Sequence, residues 1–259
     1  MAPWPYPLWI APRGAGKLAP ENTLAAFRDG AGHGATGFEC DVKLSADGVP
    51  FLLHDADLQR TTGRPGIAGD RDWAELSLLD AGAWHGPAFA GEPIPTLEGV
   101  ARYCRANGFA LNIEIKPTPG HEERTGRVVA AQAQRLWEGD ARAPLLSSFR
   151  PEALAGARET APGLPRALLL DSLWPGWFDI ASRLGCVAVV TNHGLMDAHL
   201  VARLHGAGLR ALVYTVNDAE RAQDLIDLGI DGIVTDAVDR LPADSEAEGL
   251  SMLGAPGGL

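Results

Sequence analysis

Two acidic residues and a histidine within one short segment have side chains suited to binding a metal ion and transferring protons. Glu39, Asp41 and His54 all lie between residues 37 and 55. Two carboxylates that lie side by side repel each other unless a cation sits between them, and Mg²⁺ and Ca²⁺ favour such oxygen ligands. An imidazole titrates near neutral pH and can therefore move protons there. The segment predicts a divalent-cation site with a histidine beside it.

The same segment has the pattern of a β-hairpin. Two runs of apolar and β-forming residues flank Asp47-Gly48, a dipeptide that is a strong signal for a two-residue turn. With that turn, Asp41 would lie opposite His54, and Glu39 would share their face because side chains alternate along a strand. The alternative is that the two carboxylates form only the solvent-exposed face of a hairpin at the edge of a sheet.

A third carboxylate lies at the end of a later buried run. Residues 112–117 read Asn-Ile-Glu-Ile-Lys-Pro, and strand alternation puts Asn112, Glu114 and Lys116 on one side. Glu114 is suited to hold the same cation, and Lys116 offers a point charge for an oxyanion. Arg13, at the end of the first predicted strand, is a candidate for a bidentate contact with phosphate. Glu114 and Lys116 could instead form an exposed ion pair, but charges at the end of a buried strand favour a functional role.

A repeating pattern of strands and helices predicts the scaffold that brings these side chains together. Buried strands are predicted at residues 8–11, 38–44, 109–115, 144–147, 166–170, 186–190, 209–214 and 229–234. Helical patterns occupy residues 24–31, 96–106, 122–137, 151–160, 197–205 and 219–228. Eight such units predict an α/β fold, a closed (β/α)8 TIM barrel whose reactive groups gather at the C-terminal ends of the strands.

Three segments lie outside this repeat. Residues 49–53 form the returning arm of the hairpin, and about 55–95 form an insertion with short helices that covers a site. The tail at 246–259, rich in Gly and Ala, is expected to be flexible. We therefore expect one barrel domain over residues 1–245.

The composition argues against several classes of partner. The chain has 22 Lys and Arg against 33 Asp and Glu, and the resulting net charge of −11 opposes binding to nucleic acid or anionic membranes. The sequence has no run of membrane-spanning length and no signal-peptide pattern at its start. Cys40, Cys104 and Cys186 lack the spacing of a zinc site or a disulfide framework. We expect a cytoplasmic protein, and the sequence does not indicate an oligomeric state.

Several motifs, taken in order, resemble those of the glycerophosphodiester phosphodiesterases, and most of all the cytosolic bacterial members of that family. They are Pro12-Arg-Gly, Pro20-Glu-Asn-Thr, Glu39-Cys-Asp, Asp47-Gly with His54-Asp55, and Asn112-Ile-Glu-Ile-Lys116. The resemblance continues through Ser147-Ser-Phe149, Tyr214-Thr-Val-Asn217 and Thr235-Asp236. Each motif alone is a weak signal, but the combination is specific and extends over nearly the whole chain.

The resemblance implies a metal-dependent hydrolase with a barrel of the phospholipase-C-like phosphodiesterase type, acting in lipid and glycerol metabolism. The implied substrates are glycerophosphodiesters such as glycerophosphocholine and glycerophosphoethanolamine, which are split into glycerol 3-phosphate and an alcohol. The implied roles are Mg²⁺ or Ca²⁺ binding by Glu39, Asp41 and Glu114, phosphate contact by Arg13 and Lys116, proton transfer by His54, and substrate contact by Phe149 and Tyr214.

One position departs from the family pattern. The family motif begins His-Arg-Gly, whereas this chain has Pro12-Arg13-Gly14. Proline has no titratable group, and losing one acid–base group slows an enzyme by roughly 10²–10⁴-fold. We expect neither His85 nor His193 to replace the missing histidine. Three explanations are open: a natural loss that leaves a metal- and phosphodiester-binding homologue, a replacement by another group, and an accidental single-nucleotide substitution.

A related class of barrel phosphodiesterases acts by internal attack on sphingolipid or lysolipid headgroups. Such enzymes are typically exported and face lipid, whereas this chain lacks an export signal and an evident apolar docking surface. Formation of a cyclic phosphate product would identify that class. The preferred headgroup and cation are not indicated by the sequence.

Overall fold

Parallel strands supply most of the scaffold of this chain. The computed structural model describes residues 3–240. Its strands are β1 (Trp9–Ile10), β2 (Gly37–Leu44), β3 (Pro50–Leu52), β4 (Ala110–Ile115), β5 (Leu145–Ser148), β6 (Arg166–Leu170), β7 (Ala188–Asn192), β8 (Arg210–Tyr214) and β9 (Gly232–Val234). Within the described range they make one nine-stranded sheet in the order β1-β9-β8-β7-β6-β5-β4-β2-β3. Every neighbouring pair is parallel except β2 and β3.

Hydrogen bonds just beyond β1 close the sheet on itself. The Ala11 N–H donates to the Gly37 carbonyl at 2.9 Å, and the Glu39 N–H donates to the Ala11 carbonyl at 2.9 Å. Ala11 therefore forms a parallel bridge with Phe38, which joins β1 to β2. The arm β3 stays outside this ring, so the nine-stranded sheet contains eight parallel strands that close. This confirms the predicted (β/α)8 barrel.

Helices alternate with the strands around the outside of the barrel. They are α1 (Leu24–Gly32), α2 (Gln59–Thr62), α3 (Trp73–Leu76), α4 (Leu97–Ala106), α5 (Glu122–Leu136), α6 (Pro151–Thr160), α7 (Trp177–Arg183), α8 (Ala198–Gly206) and α9 (Ala219–Asp227). Several begin at a side chain that accepts a hydrogen bond from an N–H of the first turn, as sequence signals predict; these are Thr23, Thr96, Asp197 and Asp218. Among the described helices, none combines the length and the apolar composition needed to cross a bilayer.

The two faces of the barrel wall bury different side chains. Phe38 and Ile113 belong to an apolar cluster shared with the surrounding helices. Leu145 and Leu212 belong to a separate cluster that fills the interior of the barrel. Because side chains alternate, Glu114 on β4 points the opposite way from Ile113, into the barrel. Polar groups on alternate positions of β2 and β4 therefore meet at the mouth.

The register of the hairpin differs from the prediction by one residue. Val42 pairs with Leu52, and the Leu53 N–H donates to the Asp41 carbonyl, so Asp41 lies opposite Leu53 rather than His54. The cause is the turn, which spans three residues instead of two. Gly48 takes up a left-handed conformation with φ of 88°, the usual third position of a three-residue loop. The predicted two-residue turn was wrong.

The segment between β3 and α4 folds as a small layer of short helices. It contains α2 and α3 and has its own apolar cluster, in which Phe51 of β3 packs with Leu58, Leu76 and Ile94. This agrees with the expected insertion. The predicted tail at 246–259 lies outside the described residues.

Candidate active site

Three carboxylates from two strands meet at the mouth of the barrel. Glu39 and Asp41 project from β2, and Glu114 lies across from Asp41 on β4. One oxygen from each side chain lies within 4.8 Å of the others. The three residues are 8%, 1% and 9% exposed, respectively. The structure thus brings together the residues predicted to bind the cation.

The pKa values of the three carboxyl groups are shifted in different directions. Burial raises the pKa of Glu39 well above its usual range, and the charges of Asp41 and Glu114 add to this. Burial, with the Asp41 charge, raises the pKa of Glu114 to about 7. Burial also acts to raise the pKa of Asp41, but Lys116 and Arg13 outweigh it and hold that pKa below its usual value. Two of the three carboxyls therefore lack enough positive charge nearby to stay ionised easily.

The donor atoms of the cluster fit a hard divalent cation. Glu39 Oε2 accepts the Arg13 N–H at 3.1 Å, but Glu39 Oε1 is buried without a hydrogen-bond partner among the described residues. The amide oxygen of Asn112, which pairs with Glu39 in the sheet register, is likewise buried and unpaired there. Burying such oxygens without a partner is costly. All-oxygen donors of this kind are those that Mg²⁺ and Ca²⁺ prefer.

Two basic side chains border the carboxylates. Arg13 Nε lies 3.4 Å from Asp41 Oδ2. Lys116 Nζ lies 3.2 Å from Asp41 Oδ1 and 3.5 Å from Glu114 Oε1. Both side chains keep part of their surface exposed, 31% for Arg13 and 25% for Lys116. The groups predicted to contact phosphate are therefore beside the carboxylates and accessible from the mouth.

A strained loop holds Arg13 in place. Arg13 and Asn22 are non-glycine residues with left-handed backbones, with φ of 53° and 59°. Asn22 donates its backbone N–H to the Arg13 carbonyl at 2.9 Å, and its side-chain Nδ2 donates to Asp41 Oδ2 at 2.8 Å. Gly14 also has a positive φ of 98°, and a Cβ there would lie 2.7 Å from the Phe27 nitrogen. Asn22 thus orients both Arg13 and Asp41.

Asn22 was missed as a site residue from sequence. The motif Pro20-Glu-Asn-Thr, which contains it, lies directly before the helix predicted at residues 24–31. Its Thr23 caps that helix, α1, whereas Asn22 contacts the site instead. An asparagine just before a helix cap usually serves local turns, and only the fold shows its contact with a distant carboxylate.

His54 faces the same site from the end of the hairpin. Its Nδ1 lies 2.8 Å from Asp55 Oδ1. Burial lowers the pKa of His54, and the charges of Lys116 and Arg13 lower it further, whereas Asp41 and Asp55 oppose that shift. The imidazole is therefore neutral at pH 7, with one ring nitrogen engaged by Asp55 and the other available to exchange a proton.

Two adjoining cavities surround these groups. The inner one, of about 190 Å³, is lined by the three carboxylates, Arg13, Lys116 and His54, together with Phe149 and Tyr214. The outer one, of about 570 Å³, shares His54, Glu114, Lys116 and Phe149 with it and extends to Asp171 and Trp174. The rings of Phe149 and Tyr214 meet edge to face at 5.7 Å. The predicted substrate-side aromatic residues therefore line the inner cavity.

Pro12 is buried and lines the inner cavity. Its carbonyl accepts the Gly16 N–H at 2.8 Å, which helps to shape the loop that carries Arg13. His85 instead contacts the Lys17 carbonyl at 3.1 Å. Within residues 3–240, His54 is the histidine that lines these two cavities.

Comparison with known proteins gives matches along almost the whole chain. Residues 13–240 match the model of the glycerophosphoryl diester phosphodiesterase family. A glycerophosphodiester phosphodiesterase of Caldanaerobacter subterraneus is 34% identical over 233 residues, which cover 88% of this chain and 93% of that protein. A phosphodiesterase of Oleispira antarctica, solved with the product sn-glycerol-3-phosphate, aligns with a TM-score of 0.85 and 32% identity over 93% of this chain and 97% of that chain. A glycerophosphodiester phosphodiesterase of Agrobacterium tumefaciens aligns with a TM-score of 0.75 and 28% identity, covering 89% and 96%.

Proposed function

Because the chain belongs to the glycerophosphoryl diester phosphodiesterase family, we propose that it hydrolyses glycerophosphodiesters such as glycerophosphocholine and glycerophosphoethanolamine. The products are glycerol 3-phosphate and an alcohol, and the reaction uses Mg²⁺ or Ca²⁺. The observation that carries the proposal is the convergence of three buried carboxylates beside Arg13 and Lys116. The Oleispira relative supports the substrate class, since glycerol 3-phosphate is its product.

In this proposal Glu39, Asp41 and Glu114 hold the cation, which the unpaired Glu39 oxygen and the raised pKa of Glu114 both favour. When bound, such a cation supplies Lewis-acid stabilisation of charge on phosphoryl oxygens. Arg13 and Lys116 add fixed positive charge on the exposed side of the cluster. Catalysis of phosphoryl transfer depends largely on this kind of positioning and charge compensation.

His54 is the proposed proton-transfer group. Asp55 engages its Nδ1, so the chemistry falls to Nε2. A carboxylate at Nδ1 favours the proton on that nitrogen and leaves Nε2 able to accept one, so we assign His54 to activation of the attacking water. Phe149 and Tyr214 contact the substrate in the inner cavity.

Pro12 is proposed to slow the reaction. By its resemblance to the family motif, Pro12 takes the place of the other catalytic histidine. It lines the inner cavity and has no titratable group. On the assignment above, the missing group is the acid that would protonate the departing alcohol oxygen. The expected loss is roughly 10²–10⁴-fold in rate.

The lack of a titratable group at position 12 also favours a second candidate function, a metal- and phosphodiester-binding homologue without turnover. The residues that bind the cation and the phosphate would be those named above. Such a protein would bind the substrate and release it unchanged. The two candidates differ in one measurement, the formation of glycerol 3-phosphate.

Several features support a soluble intracellular role acting on a small molecule. Cys40, Cys104 and Cys186 are all buried free thiols, as expected in a reducing compartment such as the cytoplasm. The net charge of −11 disfavours nucleic acid as a partner. We propose a single catalytic barrel domain over residues 1–245, with the segment at about 55–95 as an insertion.

The experiment is a hydrolysis assay with glycerophosphocholine and glycerophosphoethanolamine in the presence of Mg²⁺, Ca²⁺ or a chelator. We expect slow, cation-dependent release of glycerol 3-phosphate that Asp41→Asn abolishes and Glu98→Gln, a change at an exposed helix position, leaves intact. A cyclic phosphate product would instead indicate internal attack. Cation and substrate binding without any product would favour the binding homologue.

A further inference from the structure

Arg60 in the inserted segment joins two loops that reach the active site from opposite directions. Its Nη1 and Nη2 donate to Glu21 Oε2 and Oε1, each at 2.7 Å. Its Nε donates to Asp55 Oδ2 at 2.6 Å. One guanidinium group therefore contacts a carboxylate of the loop between β1 and α1 and a carboxylate at the end of the hairpin. Such bidentate contacts have a fixed geometry that a single-point charge lacks.

The second oxygen of Asp55 contacts the proposed proton-transfer group. Asp55 Oδ1 lies 2.8 Å from His54 Nδ1 while Oδ2 accepts from Arg60. Because a different partner engages each oxygen, the carboxylate is fixed against rotation. A carboxylate at Nδ1 favours the tautomer with the proton on that nitrogen, which leaves Nε2 unprotonated and able to accept.

Arg60 is held by well-packed surroundings although it lies near the surface. It belongs to α2, whose preceding residue Leu58 is only 2% exposed and packs in the apolar cluster of the insertion. Its guanidinium carbon lies 5.9 Å from the centre of the Trp84 ring. Glu21 is 10% exposed at its side chain and also accepts from Arg13 Nη1 at 3.2 Å. Neighbouring side chains therefore hold both Arg60 and its partner Glu21 in place.

We propose that Arg60 is a positioning residue. It links the Asp55 carboxylate to that of Glu21 and so keeps His54 in the Nδ1-protonated tautomer with Nε2 facing the cavity. Arg60 lines neither the inner nor the outer cavity, so its effect is transmitted through Asp55. The catalytic part of this inference rests on the proposed function. It gives a role to the insertion motif Arg60-Thr-Thr-Gly-Arg64, which the catalytic assignment leaves unused.

The primary test is the tautomer of His54, measured by ¹⁵N NMR on histidine-labelled protein, with His54→Asn used to identify its signals. We expect the native protein to show a protonated Nδ1, and Arg60→Ala and Glu21→Gln each to shift the ring towards a mixture of tautomers. The matched control is Arg71→Ala, because Arg71 lies in the same insertion and pairs with Glu75 on the surface. Glu21→Gln keeps the size of the side chain and provides a second variant should Arg60→Ala fold poorly.

The second test is kinetic. We expect Arg60→Ala to lower kcat by roughly 10–100-fold, by analogy with outer-shell partners of metal-binding histidines, with KM nearly unchanged. In a His54→Asn background the same change should have little further effect, because Arg60 acts through His54.

The outcomes separate the two proposals. An unchanged His54 tautomer in both Arg60→Ala and Glu21→Gln, or full additivity with His54→Asn, would overturn the positioning role. A tautomer shift in a protein that hydrolyses no glycerophosphodiester would support the positioning role and refute the proposed function.

Discussion

The ammonium group of Lys116 lies 3.2 Å from Asp41 Oδ1, so the most deeply buried carboxylate of the site already has a cationic partner. Glu39, by contrast, has an oxygen with no partner among the described residues. A bound divalent cation therefore offsets most of all the unbalanced negative charge of Glu39 and Glu114. Asp41 stays ionised with or without the cation. This division of roles leads to the first two predictions.

Mg²⁺ or Ca²⁺ should stabilise the protein through Glu114. At a cation concentration 100 times Kd, the expected gain is about 2.7 kcal/mol, or an increase in Tm of about 5–10 °C for a chain of this size. Glu114→Gln should remove most of that increase because it removes a charged ligand. Glu98→Gln, an exposed change on α4, should leave it unchanged. Differential scanning calorimetry with and without a chelator measures the effect, and equal shifts in both variants would count against the site.

Without a divalent cation, the contribution of Glu114 to stability should fall as the pH rises. The folded-state pKa of Glu114 is about 7, above its usual value of 4.5, so the folded protein binds more protons than the unfolded chain between those values. The associated stabilisation is fully present below about pH 4.5 and is lost as the pH rises through about 7. Glu114→Gln should flatten this part of the profile, measured as Tm against pH in a chelator. An identical slope in both proteins would show that Glu114 does not titrate in this range.

Restoring an imidazole at position 12 should accelerate hydrolysis. Pro12→His places a titratable group on the wall of the inner cavity, and general acid–base catalysis contributes roughly 10²–10⁴-fold. Pro12→Ala is the control, since it removes the ring without adding a titratable group. Steady-state assay of glycerophosphocholine cleavage compares the three proteins. A gain below about tenfold, or an equal gain from alanine, would show that the role given to position 12 is wrong.

Substrates with different leaving groups should separate the two proton-transfer roles. A phenolic leaving group needs little protonation, so Pro12→His should accelerate the choline ester much more than a phenolic ester. His54→Asn should slow both substrates about equally, because the base acts on the attacking water. Ratios of kcat/KM for the two esters measure this, and an equal gain from Pro12→His on both esters would exchange the assignments.

Much of the scaffold follows from local sequence patterns. The strand at Arg166–Leu170 and the helix at Pro151–Thr160 have the predicted bounds, since an apolar run and a proline at the first helical turn mark them clearly. The helix at Trp177–Arg183 was not predicted. It is short and begins after Gly176, which has a left-handed backbone and no capping side chain, so the usual start signal is absent.

The convergence of the site was predictable where it depends on strand alternation. Glu39 and Asp41 share the inner face because they lie two residues apart on β2. Glu114 shares it too, because it pairs directly with Asp41 across the parallel register. The contacts of Asn22 and Arg60 depend on how loops fold back over the mouth. No periodic pattern encodes such contacts, and only the assembled fold brings Glu21 to Arg60.

Closure of the barrel through Ala11 sets an order in which the site can be completed during synthesis. The carboxylates come from β2 and β4, whose sequences emerge early, and these strands pair directly. The strand before Arg13 lies between β2, which Ala11 contacts, and β9, where Trp9 lies beside Ile233. Contacts between residues so far apart in sequence form late and slowly. A nascent chain can thus bring its three carboxylates together before β9 closes the barrel beside the strand that leads to Arg13.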